Sequence, residues 1–204
     1  AGKRLDAFFA YDALLQSPLQ AARKEWVVGP YSYYNQYRYN PNNEPDLHAP
    51  WMYTLIGQPW KTATVVRAAQ QLFTNAPNGV TGNDDLGTMS AWYLFSALGL
   101  YPAVPGSGEF LLHTPRFANV EVDLGTGRTL KLQAPGAEGR TLQYIQSVKV
   151  DGQDQDKVWL DWNRLQQGGT IRYALGTQAP ESGWGTRTEA LPVSYCATPG
   201  ASLE

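Results

Sequence analysis

Cysteine is almost missing from this chain of 204 residues: Cys196 is the only one. That excludes an internal disulfide, a Cys-x-x-Cys redox pair and a thiolate zinc cluster, and a thiol in a polar tail is a poor nucleophile. No paired histidines are available for zinc either. Runs of eighteen apolar residues are absent, so no membrane-spanning helix is expected, and the first residues lack the basic-then-apolar order of a signal peptide. Charge is sparse as well. Charged residues make up 17% and the formal net charge is −2, a surface with little to offer a phosphate backbone, so nucleic acid is not an expected partner.

What the chain has instead is apolar and aromatic mass. Hydrophobic residues account for 43% and aromatics for 12%, with seven Trp and twelve Tyr, which excludes disorder and is enough for a sizeable core. Most of these rings are expected to fill that core, and a surplus suits sugar faces and polar clefts. Twenty Gly and fourteen Pro imply many turns, as in a mixed helix and strand protein.

Leu5, Phe8, Phe9, Ala13 and Leu14 recur at three- and four-residue steps, which predicts an amphipathic helix over residues 3–15, ended by Ser17-Pro18. It opens without a capping residue, as a piece of a longer chain would, and Leu203-Glu204 reads as a cloning remnant. Residues 26–46 read as a Tyr-rich loop or strand running into the polar turn Asn40-Pro41-Asn42-Asn43-Glu44-Pro45-Asp46. Helices are then expected over 47–56 and from 60 to about 73, broken by Gly57-Gln58-Pro59.

The stretch around which the first half is organised is Gly82-Asn83-Asp84-Asp85-Leu86-Gly87, followed by the apolar helix 89–98. The ordinary reading of these Asx residues is capping, since their side chains accept hydrogen bonds from the free N–H groups of a first helical turn. Three in a row between two glycines exceed what a cap needs, so catalysis stands beside capping as a second reading. Helical hairpins would bring this loop and the 40–48 loop to one end of a bundle or helical barrel. Beyond Tyr101-Pro102 the pattern changes to short alternating runs near 110–112, 120–122, 129–132, 144–150 and 170–175, the signature of a sandwich-like β segment. From Glu181 onward a loose tail is expected. The fold class expected is therefore α+β, divided as 1–104 helical, 105–180 strands and 181–204 tail.

Several blocks in order, Asn43-Glu44-Pro45-Asp46-Leu47-His48, Gly57-Gln58-Pro59-Trp60-Lys61-Thr62, Val66-Arg67, Gly82-Asn83-Asp84-Asp85, Met89-Ser90-Ala91-Trp92-Tyr93 and Gly99-Leu100-Tyr101-Pro102, resemble the C-terminal third of a glycoside hydrolase family 92 α-mannosidase. The resemblance spans roughly residues 1–185. It implies a secreted or periplasmic, calcium-dependent exo-α-mannosidase that inverts the anomeric centre, acting on a mannose-containing glycan. The helical half would be the last part of an (α/α)6 barrel, partnered by the upstream part of the same enzyme.

An inverting glycosidase needs an acid for the leaving oxygen and, about 6.5–9.5 Å away, a carboxylate that activates water. By resemblance Asp85 matches the general base, and Asn83 stands where relatives often carry a second Asp; an amide there orients water without sharing its proton. The acid would be a Glu upstream of residue 1, so the chain on its own is expected to be inactive. Asn43 and Glu44 offer hard oxygen donors for calcium, Glu44 and His48 substrate contacts, while a His at a helix start is ordinarily structural. Trp60 and Trp92 read as core. The alternative is a non-catalytic carbohydrate- or calcium-binding module, which the same acidic and aromatic groups could build.

Overall fold

Apolar residues at helical spacing do form helices at the start of the chain, but three short ones rather than a single long one. In the computed structural model, which describes residues 1–26, 37–125, 127–139 and 141–194, helices α1 (Gly2–Phe9), α2 (Tyr11–Gln16) and α3 (Pro18–Glu25) follow one another. The expected helix over 3–15 breaks at Ala10, which sits in the left-handed region (φ 51°, ψ 48°) and donates its N–H to the Ala7 carbonyl. Alanine there is strained by roughly 1–2 kcal/mol. The break lets Phe9, Tyr11 and Leu14 reach one core from two helix axes. Pro18 opens α3 instead of merely ending α2, because a first-turn residue needs no N–H partner.

The helix expected over 47–56 is also largely replaced. Two 3-10 turns, Glu44–Asp46 and Ala49–Trp51, precede one turn of α-helix, α4 (Met52–Leu55). Pro45 and Pro50 lie inside those turns, lack an N–H and disfavour helical geometry in the residue before them. The two remaining helices agree with the sequence: α5 (Pro59–Gln70) opens on Pro59, and α6 (Thr88–Leu98) closes on Gly99 at φ 82°. Asp6 ties α1 to α4 and α5, accepting from the Tyr53 hydroxyl at 2.8 Å and from Lys61 Nζ at 2.7 Å.

The second half builds two sheets. Strands β1 (Leu100–Tyr101), β2 (Glu109–Leu112) and β7 (Trp159–Asp161) form an antiparallel three-stranded sheet in the order β1-β2-β7. Strands β3 (Asn119–Asp123), β4 (Thr129–Gln133), β5 (Tyr144–Val150), β6 (Gln153–Asp154) and β8 (Gly169–Gly176) form the other, in the order β3-β4-β8-β5-β6. The pair β4 and β8 is parallel, so this sheet is mixed. Period-two alternation does the sorting: Leu130, Leu132, Ile171 and Tyr173 face the core while Lys131 and Arg172 face water. The segment is not all β, because a one-turn helix α7 (Trp162–Leu165) follows β7, capped by the Asp161 carboxylate, which accepts the Arg164 N–H at 2.9 Å. Of the stretch expected as a tail, residues 181–194 are described. Trp184 donates Nε1–H to the Gln155 carbonyl and Ala190 is buried against the sheets; Cys196 and Leu203-Glu204 lie outside the described residues.

The three-stranded sheet is the wall between two cores. Neighbouring residues of β2 point to opposite sides, so Leu111 joins the helical core with Phe9, Trp51, Met89 and Trp92, while Leu112 joins the sheet core with Leu132, Ile171 and Tyr173. At the wall sits Trp51, fully buried and stacked on Tyr101 at 3.7 Å and 11°, with its Nε1–H donated to His113 Nδ1 at 3.3 Å. His113 Nε2 lies 2.8 Å from the Ser96 carbonyl, so the ring is neutral with its proton on Nε2. Burial pulls its pKa down from the ordinary 6.5 to about 4, opposed in part by the bonds to Ser96 and Leu111.

That depression gives a signed pH dependence. Between pH 6.5 and 4 the unfolded chain binds a proton at His113 that the native chain refuses, so stability is full above about pH 6.5 and is lost as pH falls towards 4. The loss is about 3 kcal/mol. Urea midpoints between pH 7.5 and 4.5 should show it, and His113→Asn should give a lower but flatter profile; equal slopes in the two proteins would remove His113 as the cause.

Candidate active site

The polar stretch ahead of α6 turns through three consecutive left-handed residues: Asp85 (φ 24°), Leu86 (φ 57°) and Gly87 (φ 85°). Glycine tolerates this; Asp85 and Leu86 are strained by it, and such strain concentrates at functional sites. Capping falls to Asp84. Its Oδ1 accepts the Ser90 N–H and its Oδ2 accepts the Ser90 hydroxyl, both at 2.8 Å, and these bonds hold its carboxyl below the usual carboxylate range. Asp85 takes no part in the cap with its side chain. Its backbone carbonyl accepts the Thr88 hydroxyl at 2.7 Å, while its carboxylate has no hydrogen bond among the described residues and faces water. Asn83 is exposed too, so the polar prefix stands at the surface and not against a core.

The second loop is braced from within. Asn40 is buried; its side-chain oxygen accepts the Asn42 N–H at 3.0 Å, and its own N–H goes to Asp46 Oδ2 at 3.1 Å. Burial raises the Asp46 carboxyl, against the lowering effect of the Asn40 bond. Asn43 and His48 are exposed and Glu44 is half-buried. Trp92 anchors the far end of the loop by donating Nε1–H to the Leu47 carbonyl at 3.0 Å, and with 2% of its surface exposed it is core, as expected. Trp60 is half-buried. Tyr39 leads into the loop from the core, packed on Phe8, Phe9 and Trp26, whereas Tyr31, Tyr33 and Tyr34 lie outside the described residues.

The two loops touch. A Cβ built on Gly82 (φ 64°) would fall 2.3 Å from the Asn42 carbonyl oxygen, so only glycine permits the approach, and the Thr81 hydroxyl donates to the Pro41 carbonyl at 3.3 Å. Asn43 and Glu44 thus occupy the loop beside the one that carries Asn83 and Asp85. The sequence marks Gly82 as a turn glycine and Asp46 as a helix cap; the structure adds the close approach of Gly82 to Asn42 and turns Asp46 back on the Asn40 N–H, for which no local pattern gives a signal.

Among the described residues no group of three or more His, Cys, Asp or Glu is placed to hold a metal ion. Calcium takes six to eight oxygens. Asn43 and Glu44 are donors of the right kind, but two side chains do not complete that sphere.

Residues 1–177 match the model of the glycosyl hydrolase family 92 catalytic domain. The chain is 30% identical over 155 residues to an uncharacterized secreted glycosidase of Arthroderma benhamiae, covering 74% of this chain and 20% of that protein. Among solved structures, a family 92 α-mannosidase from Bacteroides thetaiotaomicron bound to mannoimidazole superposes with a TM-score of 0.74 at 25% identity, over 94% of this chain and 26% of that one. An inverting family 92 mannosidase from the same organism gives 0.73 at 27% identity, over 95% and 26%. The chain is part of a glycosidase catalytic domain and belongs to glycosyl hydrolase family 92. It spans about a fifth of the length of the secreted glycosidase and about a quarter of each mannosidase.

Because the loop contact depends on a missing Cβ, Gly82→Ala should force the 81–88 and 40–48 loops apart. We expect a loss of about 1–3 kcal/mol in urea unfolding, from steric strain and positive φ together. Faster hydrogen exchange of the Thr88 and Ser90 amides should accompany it; an unchanged midpoint and unchanged exchange would show that the contact is dispensable.

Proposed function

We propose that this chain is the C-terminal part of a calcium-dependent, inverting exo-α-mannosidase that removes terminal α-mannose from glycans outside the cytoplasm, secreted or periplasmic. The observation that carries the proposal is the division of labour between adjacent carboxylates: Asp84 is consumed by the helix cap, while Asp85, one residue on, has a strained backbone and an exposed carboxylate with no hydrogen bond among the described residues. A general base must keep its carboxylate free for water, and Asp85 is the group left free. Asn83, two residues earlier, orients that water through its amide. Family membership and the mannosidases among similar structures support the substrate class. The secreted relative supports the location, and among the described residues no helix is long and apolar enough to cross a membrane.

In this reading α5 and α6 close an (α/α)6 barrel whose earlier helices carry the general acid, and the exposed rim of the two loops faces that missing part. Glu44 and His48 contact the terminal sugar. Asn43 and Glu44 contribute to a calcium sphere completed by upstream oxygens, and the ion would grip adjacent sugar hydroxyls.

Asp85→Asn in the full-length parent should reduce turnover of an aryl α-mannoside by 10²-fold or more, about the contribution of one acid or base group, with unchanged thermal unfolding. Near wild-type turnover would refute the assignment. The 204-residue chain alone should hydrolyse mannobiose at no measurable rate, and activity on mixing with the upstream portion supports the division of parts.

For the metal, exhaustive chelation of the parent should abolish activity, with recovery on adding calcium and none on adding zinc. Full activity after chelation, or rescue by zinc alone, would sink the calcium assignment.

A further inference from the structure

Two arginines converge on one cleft, and among the described residues no carboxylate pairs with either. Arg67 projects from α5 and Arg116 from the segment between β2 and β3, lining an open cleft of about 350 Å³ together with Gln71, Tyr93, Glu138 and Gly139. Arg67 spends one Nη2–H on the Gly139 carbonyl at 3.0 Å. Arg116 is held in place through its backbone N–H, which donates to the Ala97 carbonyl at 2.8 Å, while its buried Nη1 has no hydrogen-bond partner. Among the described residues neither guanidinium has an ion-pair partner. Glu138 lines the same cleft, but its carboxylate is turned to the Ala118 N–H at 3.4 Å.

Buried N–H donors left unanswered are costly, and like charges brought together are more so. Arg67 records both: burial, then the neighbouring Arg116, pull its pKa down from the ordinary 12.5 to about 10. An oxyanion relieves both at once, since guanidinium forks match the paired oxygens of a carboxylate or phosphate.

We propose that the cleft between Arg67 and Arg116 is an oxyanion-binding site, taking a carboxylate or phosphate group through both guanidiniums, with Gln71 and the Tyr93 hydroxyl as neutral donors at its edge. This stands independently of the mannosidase reading, because none of these residues belongs to the 40–48 or 81–88 loops. A second cleft, of about 410 Å³, shares Phe73 and Tyr93 with the first and runs to Ser90, the residue that holds the Asp84 cap. An acidic group bound between the arginines therefore lies along the flank of α6, on the side that leads to the candidate site. The oxyanion has two sources: an acidic ligand from solution, or an acidic side chain of the rest of the parent protein.

The test is titration of the 204-residue chain with inorganic phosphate, followed by calorimetry and by the arginine Nε–H resonances, against chloride at equal ionic strength. Saturable binding that shifts both arginine signals is expected. Arg67→Gln and Arg116→Gln should each weaken it about tenfold or more, the worth of one charge-assisted hydrogen bond. Glu138→Gln, which removes the competing charge and leaves both arginines in place, should tighten it. No saturable binding beyond chloride, or binding unchanged in both arginine variants and in Glu138→Gln, overturns the proposal. Repeating the titration on the full-length parent separates the sources: retained binding identifies a site for a free acidic ligand, and binding seen only in the chain identifies an acidic residue of the parent as the occupant.

Discussion

The hydrogen bond from Trp51 to His113 joins the two halves of the structure. Trp51 belongs to the helical half, His113 follows β2, and the imidazole passes the connection on to the Ser96 carbonyl inside α6. All three groups are buried, so each must find its partner or carry an unpaid desolvation cost. The neutral tautomer is the only one that satisfies both neighbours, since Trp51 can only donate and a carbonyl can only accept. The Tyr101 ring stacked on Trp51 then fixes the first strand of the wall against the same point.

From that junction the site is positioned at one remove. Trp92, packed edge-on against Trp51 at 6.2 Å, reaches with its indole N–H to Leu47, the end of the first polar loop. The helix that carries Trp92 also carries Ser90, which donates its N–H and hydroxyl to Asp84 and so sets the shape of the second loop. The N-terminal half of one helix therefore holds both loops, and the glycine contact at Gly82 closes them on each other. The rigid parts are buried and aromatic; the groups with chemistry to perform are exposed. Leu86, Tyr93 and Leu94 are exposed beside them, an apolar surface that suits further chain packing on this end.

Much of this was legible in the residues. Period-two runs mark four of the strands, because a strand with one wet face must alternate whatever lies beneath it, while β2, covered on both sides, shows as a short apolar run. Helices α5 and α6 were legible from uninterrupted helical runs bounded by Pro59 and Gly99. The errors were at local breaks. Nothing in an alanine announces a left-handed turn, so the division at Ala10 is invisible, and the apolar neighbours of Pro50 fit an α-helix and a 3-10 turn equally well. Strands β1, β6 and β7, two or three residues each, are too short to show a period.

The sequence alone determined the family, the order of helical and β segments, and the candidates in the two polar loops, because ordered motifs and periodicity are properties of the chain itself. Only the tertiary structure decided which of two adjacent aspartates caps the helix and which is left free, since that depends on the direction of each side chain after three left-handed residues. It alone brought the two loops together across a glycine, and it alone made neighbours of Arg67 and Arg116. Those pairings depend on distances that the folded chain creates between residues about forty or fifty positions apart, and no local pattern records them.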